Sequence, residues 1–436
     1  MAILIANIGT SDLVVRIEGL DYFLPVSFDR KEPNLDKTVQ ELTPEERDAW
    51  DHRNGYVNTF LCNELGVETT KDKNGNLEFS FREFSRILLS RYEENLEDWH
   101  DRIRPGRIWG VIEDTISLSK LDKISKLDKI IFLVTDQEPL NPKDTLHLHQ
   151  ILKQWFLSRY PDLDRDCFIE QTIPKHIPAN DQDGLMQFFY EFLSGIDSEE
   201  MILVSTKGGT PQMRQALQAQ AIASGLARLV FIDPQLSIPD ILRGNHSQCR
   251  LVSYWRYTHT QKILTTRLLL GRWDFDGARQ VSEQWEKTVR ELNDIGVDDI
   301  SNYVVDLESS TKALELGVAF LNLDYNQAKA ILKKHRQQLG SLASLANGYN
   351  PLLNLYTQCR ICVDLNEISG FLIKVSSFYE GLIFSLIDKI SGKRYFDKRK
   401  YPDDLILSPR DLSDELNIHF FSKRDERKGN KLKSRF

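Results

Sequence analysis

Residues 205–213 read Ser205-Thr206-Lys207-Gly208-Gly209-Thr210-Pro211-Gln212-Met213, and their types and order suit a phosphate or phosphodiester ligand. Two adjacent glycines let backbone N–H groups approach an anion with no Cβ in the way. Thr210 is a good helix N-cap and Pro211 fits the first helical position. A helix therefore starts here, and its N-terminus adds positive potential. Lys207 supplies a cation, and the hydroxyls of Thr206 and Thr210 supply hydrogen bonds. Two more polar loops follow apolar runs of strand length: Asn7-Ile8-Gly9-Thr10-Ser11-Asp12 and Thr135-Asp136-Gln137. The 205–213 motif is neither G-x-x-x-x-G-K-[ST] nor G-x-G-x-x-G, which argues against a nucleoside triphosphatase. The alternative reading is a tight strand-to-helix turn whose glycines serve geometry alone. A further alternative, a Rossmann-type nucleotide-binding enzyme, wants a glycine-rich turn after the first strand, where Ile8-Gly9-Thr10-Ser11 offers one glycine.

These loops need a scaffold, and the hydrophobic pattern predicts one. Strands are expected at Ile3–Ala6, Ile130–Val134, Phe168–Ile173, Met201–Ser205 and Leu229–Ile232, with Leu251–Trp255 at an edge. Helices are expected at His147–Leu157, Leu185–Ser194 and Pro211–Ser224. In the last of these Met213, Ala216, Leu217 and Ala221 share one face, and Gly225 sits where the helix should stop. Strands separated by helices imply βαβ units, hence an α/β Rossmann-like N-terminal domain with a mainly parallel sheet, over residues 1–255. Ligands of such sheets bind beyond the carboxyl ends of the strands, where all three polar loops fall. The first strand is expected near the fourth. Residues 29–127 are rich in charge and read as insertions into the first crossover, with no role assigned.

Residues 256–348 read as a helical linker domain. Trp273-Asp274-Phe275 with Ala278 recurs fifty positions on as Leu323-Asp324-Tyr325 with Ala328, a weak repeat of helix, polar turn, aromatic and small residue. Residues 349–436 complete an all-α C-terminal region. There Phe371, Val375, Phe378 and Leu382, extended by Leu386 and Ile390, form a stripe suited to a core or a dimer interface. From Lys389 the chain turns basic, with Lys393-Arg394, Lys398-Arg399-Lys400 and Arg427-Lys428 interleaved with Tyr395, Phe396, Phe420 and Phe421. That pattern suits either an RNA-facing surface or a solvated tail.

At 436 residues the chain has room for two or three domains. A net charge of −8 confines any nucleic-acid contact to a local patch. No apolar run reaches membrane-spanning length, and the N-terminus lacks the basic start and long apolar core of a signal peptide. The five cysteines, Cys62, Cys167, Cys249, Cys359 and Cys362, are odd in number and scattered, as expected of a reducing cytoplasm. Cys359 and Cys362 are spaced C-x-x-C without a second ligand pair, so buried thiols are expected there rather than a metal site.

The pairing of the Gly9-Thr10-Ser11 loop with the Ser205–Met213 motif resembles the CARF-domain proteins of type III CRISPR systems. It is most similar to the ancillary ribonucleases that join an N-terminal CARF sensor to a C-terminal HEPN domain. The resemblance covers residues 1–255 through the two motifs, and the rest by architecture. It implies a homodimer with a cyclic oligoadenylate of four or six units, the activator, bound on its twofold axis. A ring of even number matches such a site. By motif match Asn7, Gly9, Thr10 and Ser11 would line one wall, and Thr206, Lys207, Gly208, Gly209, Thr210, Gln212 and Met213 the other, with Thr135 and Asp136 added from the third loop. No cofactor is implied. Some CARF domains cut their own ligand without metal, by in-line attack of a ribose 2′-OH, and Thr10 and Lys207 would be the helpers here.

The implied activity is ligand-gated cleavage of single-stranded RNA in antiviral defence. HEPN ribonucleases use an arginine followed, after four to six residues, by a histidine. In the last hundred residues the histidine is His419, and eight residues separate it from Arg410. The spacing that fits, Arg47 with His52, falls in the insertion of the first domain. The catalytic residues for RNA cleavage are therefore unknown. A sensor without ribonuclease activity and a ring nuclease stand as alternatives.

Overall fold

The computed structural model describes residues 1–27, 38–71, 77–196, 200–226, 228–297, 300–346 and 350–391. Arg410, His419 and the basic aromatic stretch lie outside the described residues. The chain divides into two compact units. One is Met1–Lys262 with Gln284–Asp306, and the other is Ile263–Glu283 with Leu307–Phe436.

The first unit is built on six strands: β1 (Ala2–Asn7), β2 (Leu127–Val134), β3 (Phe168–Thr172), β4 (Met201–Ser205), β5 (Leu229–Gln235) and β6 (Gln248–Val252). Their order is β3-β2-β1-β4-β5-β6. All neighbours run parallel except β6, which pairs antiparallel with β5. This is the doubly wound α/β arrangement, and the strand order reverses between β1 and β4. Every residue of β1 and β4 is buried, as expected of central parallel strands covered on both faces. On one face Ile3, Ile5, Ile131, Leu133, Ile202 and Val204 meet helices α4 (Gln182–Ser194) and α5 (Pro211–Ala223) through Leu185, Phe189, Ala216 and Leu217. Asp181 caps α4 by accepting from the Gly184 N–H, and Thr210 caps α5 by accepting from the Met213 N–H. An all-α region follows this domain.

The edge strand ends three residues earlier than the apolar run suggested. Tyr254 and Trp255 resemble strand residues in composition, but Trp255 opens helix α6 (Trp255–Gly271) and its ring stacks on Tyr303 at 4.8 Å.

The insertion is a folded layer. Its strand Ile103–Arg104 joins Val14–Arg16 and Phe23–Pro25, which precede it in the chain, in an antiparallel sheet, and it holds two long helices, α1 (Phe81–Glu94) and α2 (Gly106–Lys120), ahead of α3 (Leu148–Arg159). Phe60, Phe81, Phe84 and Tyr92 are fully buried in it. Helix α2 lies close enough to its surroundings to need glycine at two positions. A Cβ on Gly106 would stand 2.6 Å from the Ser11 carbonyl oxygen, and one on Gly110 would overlap the Ser247 carbonyl.

The second unit is helical. The repeat seen in the sequence is a repeat of backbone geometry. Trp273 and Leu323 both take φ near +58°, the N–H groups of Asp274 and Asp324 reach back to the carbonyls of Leu269 and Ala319, and each aspartate caps the next helix. A third copy occurs where α7 (Pro351–Asp364) turns into α8 (Ile368–Ser391). Asn366 takes φ +57° and the Glu367 N–H reaches the Cys362 carbonyl at 2.8 Å. Phe371, Val375 and Phe378 of the α8 stripe face Tyr356 and Cys359 of α7 across a groove. Cys359 and Cys362 are both buried free thiols.

Replacing Gly110 by Ala should destabilise the protein by about 1–3 kcal/mol, because the overlap with a backbone carbonyl outweighs alanine's better helix propensity. Chemical denaturation monitored by far-ultraviolet circular dichroism would measure it. An unchanged midpoint would show that α2 does not sit this close to Ser247.

Candidate functional site

Because β1 and β4 are hydrogen-bonded neighbours, the loops that leave their carboxyl ends emerge side by side at the point where the strand order reverses. A doubly wound sheet opens its crevice there. The two loops touch through glycines. A Cβ on Gly9 would lie 2.8 Å from the Gly209 nitrogen, and one on Gly208 would overlap the Asn7 carbonyl. Gly208 has φ +145° and Gly209 φ +61°, conformations that side chains other than hydrogen rarely adopt. The glycines thus do two things: they shape the turn into α5, and they let two backbones pack without intervening side chains. The N-terminus of α5 points its dipole at this junction.

The first loop closes on itself. The Asp12 N–H donates to the Gly9 carbonyl at 2.9 Å, and the Gly9 N–H donates to Asp12 Oδ2 at 2.7 Å. Asp12 is fully buried and pairs with Arg107 of α2, whose Nη2 lies 2.5 Å from Oδ2. Asn7, also buried, donates from Nδ2 to the Thr206 carbonyl at 3.4 Å and so ties the loops together again. The Thr10 hydroxyl donates to Ser27 Oγ at 3.3 Å, and Thr10 and Ser11 are half-buried at the rim.

In the second loop Lys207 does not stand alone. Its ammonium lies 3.1 Å from Asp233 Oδ1 and 3.5 Å from the Pro234 carbonyl, both on β5. Thr206 and Gln212 are half-buried. The Thr210 hydroxyl is used twice, accepting from Met213 and donating to the Ala179 carbonyl. Met213 is fully buried in the sheet–helix core, with its sulfur against Gly209. Thr210 and Met213 therefore build the cradle from beneath, while Gly208, Gly209, Lys207, Thr206 and Gln212 form its rim.

The third loop joins the site from the β2 side. Thr135 is held by a reciprocal pair with Thr145, its N–H donating to Thr145 Oγ1 and its Oγ1 accepting from the Thr145 N–H, both at 3.1 Å. Asp136 pairs with Arg82 of α1 at 2.7 Å and with Lys175 at 3.0 Å. Burial alone would raise the Asp136 carboxyl. The hydrogen bonds from Lys175 and Arg82 outweigh it and hold the group below the usual carboxylate range. Arg82 also reaches Asp144 at 2.9 Å, and Asp144 in turn accepts from the Gln137 side chain. Gln137 Oε1 then accepts from the Ala179 N–H, linking this loop to the Thr210 cap.

Sequence reasoning named the three loops but missed Arg82, Arg107 and Asp233, the charged partners that hold them. Arg47 and His52 are each tied to local groups, Arg47 to the Val39 carbonyl and His52 to Asp48, and neither approaches the cradle residues by any contact described. Among the described residues no cluster of His, Cys, Asp or Glu is arranged to hold a metal ion, and no helix is long and apolar enough to cross a membrane.

No protein-family model matches the chain, and no curated protein matches its sequence. Among solved structures it is similar to Enterococcus italicus Csm6 bound to cyclic hexa-2′-fluoro-hexa-dAMP. The match has 13% sequence identity, covers 73% of this chain and 80% of that chain, and has a TM-score of 0.44. The likeness is a weak one, of chain path only.

Replacing Gly208 by Ala should cost about 1–3 kcal/mol of stability, since a Cβ strains the φ and strikes the Asn7 carbonyl. A thermal melt would read this. A variant as stable as the parent would mean the two loops are not in backbone contact.

Proposed function

We propose that this protein binds a cyclic oligoadenylate at the junction of the Gly9 and Lys207-Gly208-Gly209 loops and acts as a CARF-type sensor of a type III CRISPR system. The observation that carries the reading is the direct backbone contact of these loops at the reversal of strand order. It brings a helix N-terminus and Lys207 together, with Thr206 and Thr10 at the rim, a donor set that suits phosphodiester oxygens. Lys207 is held partly out of solvent by Asp233, so its charge is positioned before the ligand arrives. In this reading a second copy of the chain supplies the same loops across a twofold axis, and the ring of four or six units spans both.

Cleavage of the ring is the alternative, for which Thr10 and Lys207, paired with Ser27 and Asp233, would be the helpers. Ligand-gated cleavage of single-stranded RNA is the further activity implied by the resemblance, and among the described residues the arginine–histidine pair with the family's spacing, Arg47 with His52, falls in the first unit rather than in the C-terminal region.

Lys207→Ala should weaken binding of cyclic tetra- or hexa-adenylate by about 1–3 kcal/mol, the range for a charge-assisted hydrogen bond. Loss of its half-exposed pair with Asp233 should lower stability by no more than about 1 kcal/mol. Calorimetric titration of both rings against parent and variant measures the first, and a thermal melt the second. Unaltered affinity for the ring that binds, or no binding of either ring to the parent, would overturn the assignment.

A further inference from the structure

Resting on the cradle reading above, we propose that Arg107 is a positioning residue for ligand binding: paired with Asp12 beneath both loops, it fixes the Gly9 turn against the Gly208–Gly209 turn. Arg107 comes from the insertion, 95 residues from its partner, on the first turn of α2. Its side chain is 2% exposed and that of Asp12 is 1% exposed. The one oxygen Asp12 Oδ2 receives both the Arg107 Nη2 and the Gly9 N–H, so the guanidinium acts on Gly9 through a single shared acceptor. On the other side, Arg107 Nη2 would lie 3.2 Å from a Cβ placed on Gly208. One planar group therefore abuts both loops. The backbone of α2 supports it, with Gly106 pressed against the Ser11 carbonyl.

A pair needed only for stability would have its remaining polar atoms satisfied, because a buried donor or acceptor left unpaired is costly. Here Arg107 Nε and Nη1, Asp12 Oδ1, Asn7 Oδ1 and Ser205 Oγ are all buried with no hydrogen-bond partner among the described residues. These five atoms belong to the residues that hold the glycine junction, so its underside is polar rather than apolar. Arg107 is too deeply buried to touch a ligand at the rim, so its effect runs through Gly9 and Asp12.

The test compares Arg107→Lys, the double variant Asp12→Asn with Arg107→Met, and Lys207→Ala as the reference at the rim. Arg107→Lys keeps the charge but loses the planar fork. The double variant removes both charges and leaves neither uncompensated, which guards against a variant that fails to fold. Calorimetric titration with cyclic tetra- and hexa-adenylate gives affinity at two salt concentrations, and hydrogen exchange gives the protection of the Gly9 amide. Tenfold or greater loss of affinity is expected for both Arg107 variants, with faster exchange at Gly9 and unchanged exchange in β1 and β4. The salt dependence should stay that of the parent for Arg107→Lys and become shallower for Lys207→Ala, since Lys207 alone meets the ligand's charge. Parent-like affinity in both Arg107 variants, with Lys207→Ala still weakened, would overturn the positioning role and leave the cradle standing. A loss of affinity with Gly9 still protected would overturn it too. Parent-like affinity in Lys207→Ala, or no binding by the parent, would overturn the cradle itself, and the positioning role with it.

Discussion

The contact of Gly9 with Gly209 is the constraint on which the rest of the site depends. Two strand ends in a parallel sheet are separated by one inter-strand spacing, which is too narrow for side chains on both loops. Glycine on each side resolves that conflict, and the turn geometry that only glycine adopts freely sends the chain directly into α5. Once the backbones meet, the helix terminus, Lys207 and the threonine hydroxyls have fixed relations to one another. The strand order contributes equally. Had β4 paired elsewhere, the same motif would be an isolated turn at a helix start.

Around this contact the molecule places charged pairs that are buried or half-buried. Two arginines of the insertion, Arg107 of α2 and the half-buried Arg82 of α1, pair with Asp12 and with Asp136 and Asp144 and so reach the carboxyl ends of β1 and β2. Charges buried in this way stabilise little relative to an apolar core, but they fix direction and distance where an apolar contact would allow sliding. Helices α1 and α2 thus hold the loops through these two arginines. The Gln137–Ala179–Thr210 relay extends the same principle from the third loop to the cap of α5.

Much of this was legible in the sequence. The strands and helices of the first unit stand out because continuous apolar runs and helical periodicity are local signals, and Thr210-Pro211 marks the start of α5 unambiguously. The adjacency of the Gly9 and Lys207 loops followed from the general behaviour of such sheets, although the order of strands did not. Arg107 and Arg82 were hidden because nothing local distinguishes a buried arginine from the many solvated charges of residues 69–127. Their partners lie up to 95 positions away. Met213 was legible in two ways, as a member of the motif and as part of the apolar face it shares with Ala216, Leu217 and Ala221, and the structure places its side chain on that buried face. The third helical turn went unseen because Asn366-Glu367-Ile368 keeps the backbone geometry of the other two while replacing the aspartate and the aromatic.

The most direct measurement is glycine-selective amide NMR of the full chain during titration with cyclic tetra- and hexa-adenylate. The amides of Gly9, Gly208 and Gly209 should shift together and saturate at one ring per two chains, while those of Gly19 and Gly66, at other turns, stay in place. Binding that leaves the three junction amides unmoved, or no binding of either ring, would contradict it.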